Sequence, residues 1–267
     1  MSAVFEIRDA SMNDEVLGIL FYYEREKRFF IELLSDYNEW EAPFLFESYV
    51  KRGEYSIDSE WSLKWVRERI VPSDRQNIGM ILKNAGLDHY DEYRLLVLSE
   101  GRCSQDELYI KRTADEMIPG EITERQKTKV RDVIPLSGNR ILVFFKDNMA
   151  GRMDIGLQYG KNSRYINVLS SDELFCSVRV SPGGNGIEWD EDRYIGYDKL
   201  RKEAELSNEE YDDYLRFAGI RLADTSKVCE ITGYSRQYIS RMVSEGRIEP
   251  VYTGEQTRMF LKSDIES

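Results

Sequence analysis

The residues best suited to chemistry lie together near the C-terminus. Ser235-Arg236-Gln237-Tyr238 follows Gly233 and opens a segment where Ile239, Met242 and Val243 recur at i, i+3, i+4 spacing. That period predicts a helix with one buried face and with Arg236, Gln237, Ser240 and Arg241 outward, Tyr238 at the rim. Ser235 supplies a hydroxyl able to accept from the free N–H groups of a helix start. The chemistry on offer is recognition. An arginine fork matches guanine and a glutamine amide matches adenine, so Arg236 and Gln237 suit the reading of base edges. Both stand in the first turn, the part of a recognition helix that enters the major groove.

Such a helix needs a platform, and the flanking residues predict one. Residues 226–231 read as a first helix, with Val228 and Ile231 inward and Cys229 as the small side chain where two helices cross. Gly233 suits the turn between them. Gly246 breaks the second helix, and residues 247–252 and 257–261 are expected to pair across Thr253-Gly254-Glu255 as a wing. Lys227, Arg241, Arg247, Arg258 and Lys262 are the candidates for phosphate contact, and Ser263-Asp264-Ile265 starts a truncated last helix.

This region resembles the excisionase and MerR-like helix-turn-helix family. The matching residues are Asp224-Thr225, Val228, Gly233, Ser235-Arg236-Gln237, Ile239, Val243, Glu245-Gly246-Arg247-Ile248, Pro250-Val251 and Lys262-Ser263-Asp264-Ile265. The resemblance covers about residues 222–267 and implies a winged helix-turn-helix that binds specific DNA in regulation or recombination. The sequence departs from it in charge: from Asp224 to Ser267 seven acidic side chains stand against six basic ones. Affinity for DNA rests largely on neutralising phosphates, so a dimer or a partner is expected.

Two looser resemblances lie upstream. Residues 131–200 are similar to a small bacterial family of unknown function that precedes helix-turn-helix domains, through Ile141-Leu142-Val143-Phe144-Phe145-Lys146-Asp147, Leu174-Phe175, Val178-Arg179-Val180 and Ile187-Glu188-Trp189. Residues 16–110 resemble the N-terminal subdomain of HipA-type toxins, through Leu17-Gly18-Ile19-Leu20, Ile70-Val71-Pro72, Arg75-Gln76-Asn77-Ile78 and Tyr90-Asp91-Glu92. No phosphate-cradling glycine loop and no catalytic aspartate motif accompany the latter, so it implies an accessory fold, not phosphoryl transfer.

The remaining composition sets bounds. The chain has 267 residues and a net charge of -12, so any contact with nucleic acid must come from a local basic patch. An apolar run long enough to span a bilayer is missing, and the N-terminal residues lack a signal-peptide pattern. The three scattered cysteines fit a reducing cytosol better than a disulfide framework. A single histidine, His89, falls in a polar turn and speaks against a Cys/His zinc site or a Ser-His-Asp triad. Glu188 with Asp190-Glu191-Asp192 offers carboxylates to a cation, but a solvated acidic loop after Trp189 is expected instead. No cofactor, no membrane contact and no enzymatic activity are expected.

The expected fold is α+β and multidomain: a mixed α/β domain over 1–120, a small β-rich domain over 131–200 with one helix, an acidic helical bridge over 201–221, and the winged helix-turn-helix over 222–267. Residues 16–23 and 28–33 predict a hairpin. Residues 59–71, 73–85 and 91–98 predict helices, ended by Pro72, Gly86 and Gly101. Pro119-Gly120 reads as a turn or boundary. Residues 140–145, 174–180 and 187–189 read as strands, and 181–186 as a turn. Residues 197–204 and 207–217 read as helices, the second capped by Ser207 with Glu210. The sequence thus points to a DNA-binding regulator, a dimer with N-terminal sensing or interaction domains. The alternative is an acidic protein-interaction inhibitor of the antitoxin or phage type, also able to bind its own promoter.

Overall fold

The structure is a computed structural model that describes residues 2–36 and 43–265, so the last two residues of the 222–267 segment lie outside it. It is mixed α/β, with antiparallel sheets and 12 helices among the described residues. The chain divides into two compact units, Met1–Ser207 and Asn208–Ser267.

In the first unit, β1 (Ser2–Asp9), β2 (Glu15–Tyr23), β3 (Arg28–Leu33), β4 (Ser56–Ile57) and β5 (Leu108–Arg112) form one sheet in the order β4-β3-β2-β1-β5. The expected hairpin is β2 and β3, with Tyr23 opposite Arg28. The sequence reading passed over β1, although it pairs along its whole length with β2. Both faces of this sheet are covered. Phe5, Leu20, Phe29 and Ile31 enter the main core on one side, while Val4, Ile19 and Phe21 pack on Ile122 on the other. Two-sided burial explains why residues 17–22 are continuously apolar instead of alternating.

The main core is closed by α1 (Glu47–Lys51), α2 (Ser59–Arg67), α3 (Ile78–Asn84) and α4 (Glu92–Leu98). Asp58 caps α2 by accepting from Trp61 N–H at 2.9 Å. This helix stops at Arg67, short of the expected Val71, because its last turn tightens into an Arg69 N–H bond to the Val66 carbonyl. Pro119-Gly120 is not a turn but a helix start. Pro119 sits at the N-cap of α5 (Gly120–Lys127), and this helix carries Ile122 to the first sheet.

The rest of the unit holds a sheet of β6 (Val130–Leu136), β7 (Arg140–Phe145), β8 (Ala150–Asp154) and β12 (Glu205–Leu206), and a smaller one of β9 (Arg179–Val180), β10 (Gly186–Glu188) and β11 (Tyr194–Gly196). Four short helices join them: α6 (Ile155–Tyr159), α7 (Ile166–Leu169), α8 (Asp172–Cys176) and α9 (Tyr197–Glu203). This corrects the expectation of a β-rich region with one helix. Residues 174–180 are not one strand either. The Ser171 hydroxyl accepts from Leu174 N–H at 3.3 Å, and Asp172 and Glu173 lie at the positive end of α8, so local capping overrides the alternating pattern. Gly184, at φ 81, passes so close to the Val130 carbonyl that a Cβ would lie 2.3 Å from its oxygen.

Buried and part-buried polar bonds fasten the two halves of this unit. Glu32 on β3 accepts from Arg125 at 2.9 Å and pairs with Lys129. Arg28 donates to Glu188 at 2.5 Å, and Asp198 accepts from the N–H groups of Tyr55 and Ser56 at 3.1 and 2.9 Å.

The second unit contains α10 (Tyr211–Arg221), β13 (Leu222–Asp224), α11 (Thr225–Thr232), α12 (Arg236–Ser244), β14 (Tyr252–Thr253) and β15 (Arg258–Leu261), with sheet order β13-β15-β14. Its core is Ala223, Val228, Ile239 and Phe260, with Met242, Val243 and Ile248 packed on it. The expected Ser207 cap is overturned: Ser207 N–H donates to the Ala150 carbonyl, which prolongs the β8–β12 ladder. The helix instead starts at Tyr211, where Asp213 accepts from Glu210 N–H at 3.0 Å. The expected long wing strand over 247–252 shortens to Tyr252–Thr253, and β13 adds a third strand that had no sequence signal.

Candidate functional site

The site is assembled by a turn, a cap and a hairpin. Helix α11 ends at Gly233, whose φ of 73° is left-handed and whose N–H returns to the Cys229 carbonyl at 2.9 Å. Two residues later Ser235 is extended, with φ -74 and ψ 156, and its hydroxyl accepts from Tyr238 N–H at 3.3 Å. Ile239 is fully buried in the core and fixes the rotation of α12. With that rotation set, Arg236, Gln237, Ser240 and Arg241 are exposed, and Tyr238 is half-buried against the Tyr234 ring at 4.6 Å.

The cap lends itself to a direct check. Ser235→Ala should lower the unfolding free energy of the Asn208–Ser267 unit by about 1 kcal/mol. Urea denaturation followed by circular dichroism measures it, and an unchanged midpoint would remove Ser235 from the capping role.

Beside the start of α12 lies an open groove of about 500 Å³, lined by Ser226, Arg236 and Ser240 on one wall and Gly254, Thr257 and Arg258 on the other. Arg236 Nη2 donates to Ser226 Oγ at 2.7 Å, and Arg258 Nη1 donates to Ser240 Oγ at 3.3 Å. Neither guanidinium meets a carboxylate within ion-pair distance among the described residues. Both hold neutral hydroxyls, which a stronger acceptor such as a phosphate or a base edge displaces at small cost. Asp224 and Glu255 also line the groove, so its charge is mixed.

The other predicted residues are placed differently. Arg241 Nε and Arg247 Nη2 both reach Glu245, at 2.6 and 2.5 Å, and together they hold its carboxyl below the usual carboxylate range, the Arg241 hydrogen bond foremost. Arg247 also lies 5.7 Å from the Tyr238 ring centroid. Lys227 Nζ pairs with Glu230 at 2.7 Å, and Lys262 Nζ donates to the Ile220 carbonyl at 2.6 Å. Arg236, Ser240 and Arg258 are therefore brought to one groove, with Gln237 exposed on the same helical turn. Lys227, Arg241, Arg247 and Lys262 each hold an internal partner. The sequence reading missed Ser226 and Thr257 as groove residues. Ser226, within the first turn of α11, carried the only signal for this.

Elsewhere, His89 is exposed, and Cys103, Cys176 and Cys229 are free thiols. Among the described residues no group of three or more His, Cys, Asp or Glu is placed to hold a metal ion, and no helix is long and apolar enough to cross a membrane. Glu188 is buried between Arg28 and Arg179, at 2.5 and 3.1 Å, while Glu191 and Asp192 in the acidic loop after Trp189 are exposed.

No family model and no curated protein matches the chain. A solved structure from Nitrosomonas europaea, named as a DNA-binding candidate, is 21% identical over 46% of this chain and 79% of its own, with a TM-score of 0.27. That score is too low to establish a shared fold.

Proposed function

We propose that the Asn208–Ser267 unit is a winged helix-turn-helix that reads double-stranded DNA, and that the protein is a dimeric transcriptional regulator of the bacterial or phage cytoplasm. The observation that carries this reading is the groove itself. A capped helix start exposes Arg236 and Gln237 next to a hairpin that holds Arg258, and among the described residues both groove arginines are bound only to hydroxyls. Helix N-termini and arginine forks are suited to phosphate and guanine. The mixed charge of the unit supports the dimer, because two modest half-site contacts multiply when linked.

A gel-shift titration against salt tests the electrostatic part. Binding should weaken with a slope of about -0.9 in log K per log salt for each phosphate neutralised. With two groove arginines held by hydroxyls and three further cations tied to glutamates, the slope per unit should be about -2 to -4. Association that ignores salt contradicts the reading.

A second reading draws on the net charge of -12: the acidic N-terminal region contacts a protein partner, as an inhibitor that also binds its promoter would. Affinity capture that recovers no protein, beside clean operator binding, would leave the regulator reading alone.

A further inference from the structure

Within the Met1–Ser207 unit, a cleft of about 210 Å³ opens between the two cores, and none of its lining residues is among those assigned to DNA. Its walls include four tyrosines: Tyr49, Tyr159, Tyr165 and Tyr194. Three of their hydroxyls are engaged. Tyr49 donates to Asp58 at 2.6 Å, Tyr165 to the Tyr194 carbonyl at 2.8 Å, and Tyr194 to the Asn185 carbonyl at 2.6 Å. Tyr159 is the exception. It is 8% exposed, and its buried hydroxyl has no hydrogen-bond partner among the described residues. An orphaned buried hydroxyl is costly, so such a group points to an occupant that is not part of the chain.

The charged residues of the lining narrow what that occupant is. Arg52 pairs with Glu54 at 2.8 Å and Arg164 with Glu60 at 2.9 Å. Asp58 accepts from Tyr49 and from Trp61 N–H, and Asp198 from two backbone N–H groups. Lys199 is left with no carboxylate partner among the described residues; its ammonium lies 4.6 Å from the Tyr159 ring centroid. Among the described residues the lining therefore holds two donors without an acceptor, the buried Tyr159 Oη–H and Lys199 Nζ above its ring. Donors without acceptors favour an oxyanion over a cation, and rings favour a planar body. The volume lies below the range usual for drug-sized ligands, which limits the body to one small ring system.

We propose that this cleft binds a small organic carboxylate with a planar apolar body, its carboxylate meeting Tyr159 Oη and Lys199 Nζ. The site stands independently of the DNA-binding reading, since every residue in it belongs to the first unit.

Isothermal titration of the full chain with benzoate and indole-3-acetate tests it, with benzamide and inorganic phosphate as comparators. At least one of the two carboxylates should saturate the protein. Benzamide, which lacks the charge, and phosphate, which lacks the ring, should each bind at least about tenfold more weakly. Tyr159→Phe keeps the ring and removes the donor; Lys199→Met keeps the stem and removes the charge. Each should weaken the carboxylate about tenfold or more while leaving the far-ultraviolet spectrum and melting midpoint of the protein near the parent values. Failure of both carboxylates to saturate, equal binding of benzamide or phosphate, or affinity indifferent to both substitutions would overturn the proposal.

Discussion

Lys129→Ala should cost the Met1–Ser207 unit about 3 kcal/mol of folding stability, more than any surface change in the molecule. Lys129 is wholly buried, and its ammonium donates to Ser56 Oγ at 2.6 Å, pairs with Glu32 and sits 4.4 Å from the Tyr197 ring centroid. Burial pulls its pKa down, and the Glu32 charge opposes that pull. Removing the ammonium leaves the Glu32 carboxylate, only 1% exposed, with Arg125 as its remaining cation. An uncompensated buried charge is costly, and Arg125 at 2.9 Å keeps the loss at the lower end of the usual range. Guanidinium denaturation measures the effect. The double change Lys129→Met with Glu32→Gln should recover much of the loss, because neither partner then remains buried alone. A loss under about 1 kcal/mol for Lys129→Ala would show that the pair does not hold the two halves of the unit together.

Arg236→Ala should abolish sequence preference in DNA binding while leaving non-specific binding within a few-fold of the parent. A bidentate arginine–guanine contact discriminates by about 1–3 kcal/mol, which is roughly 5- to 150-fold. The same side chain contributes one cation among several to the salt-dependent term, so its loss touches that term lightly. Among the described residues Arg236 holds only the Ser226 hydroxyl, so its removal should leave the unit folded. Arg241→Ala provides the contrast. Its guanidinium is bound to Glu245, and its loss should weaken all sequences evenly without changing the preferred one. Competition gel shifts with specific and scrambled duplexes separate the two patterns. Preserved discrimination in the Arg236→Ala protein would remove α12 as the reading helix.

The C-terminal unit was the most legible part of the chain, because its signals are local. Gly233, the Ser235 hydroxyl and the Ile239-Met242-Val243 spacing each act within one turn, and helix boundaries 225–232 and 236–244 follow from them. The charge pairing around α12 was less legible. Arg241, Arg247 and Lys227 look available in sequence, yet Glu245 and Glu230 lie two to four residues away and claim them.

Upstream, the β2–β3 hairpin was readable from two apolar runs around a charged turn. The order of its sheet was not, since β5 reaches β1 across about a hundred residues and such pairing leaves no local mark. Residues 174–180 misled for the opposite reason. Alternation suggested a strand, while the Ser171 cap and two acidic residues in the first turn decided for a helix. The groups that fasten the first unit, Glu32, Lys129 and Asp198, are ordinary charged residues in sequence, and only burial shows their weight.

The role proposed for the Asn208–Ser267 unit is to read DNA through α12 and its hairpin. Selection of bound fragments from random duplex DNA, performed on the full chain at low salt, tests it most directly. The expected result is an enriched motif with guanine in each half-site, the half-sites spaced by about 10 base pairs or a multiple, and enrichment lost in the Arg236→Ala protein. Recovery of fragments with no enriched sequence, or the same motif from the Arg236→Ala protein, would contradict it.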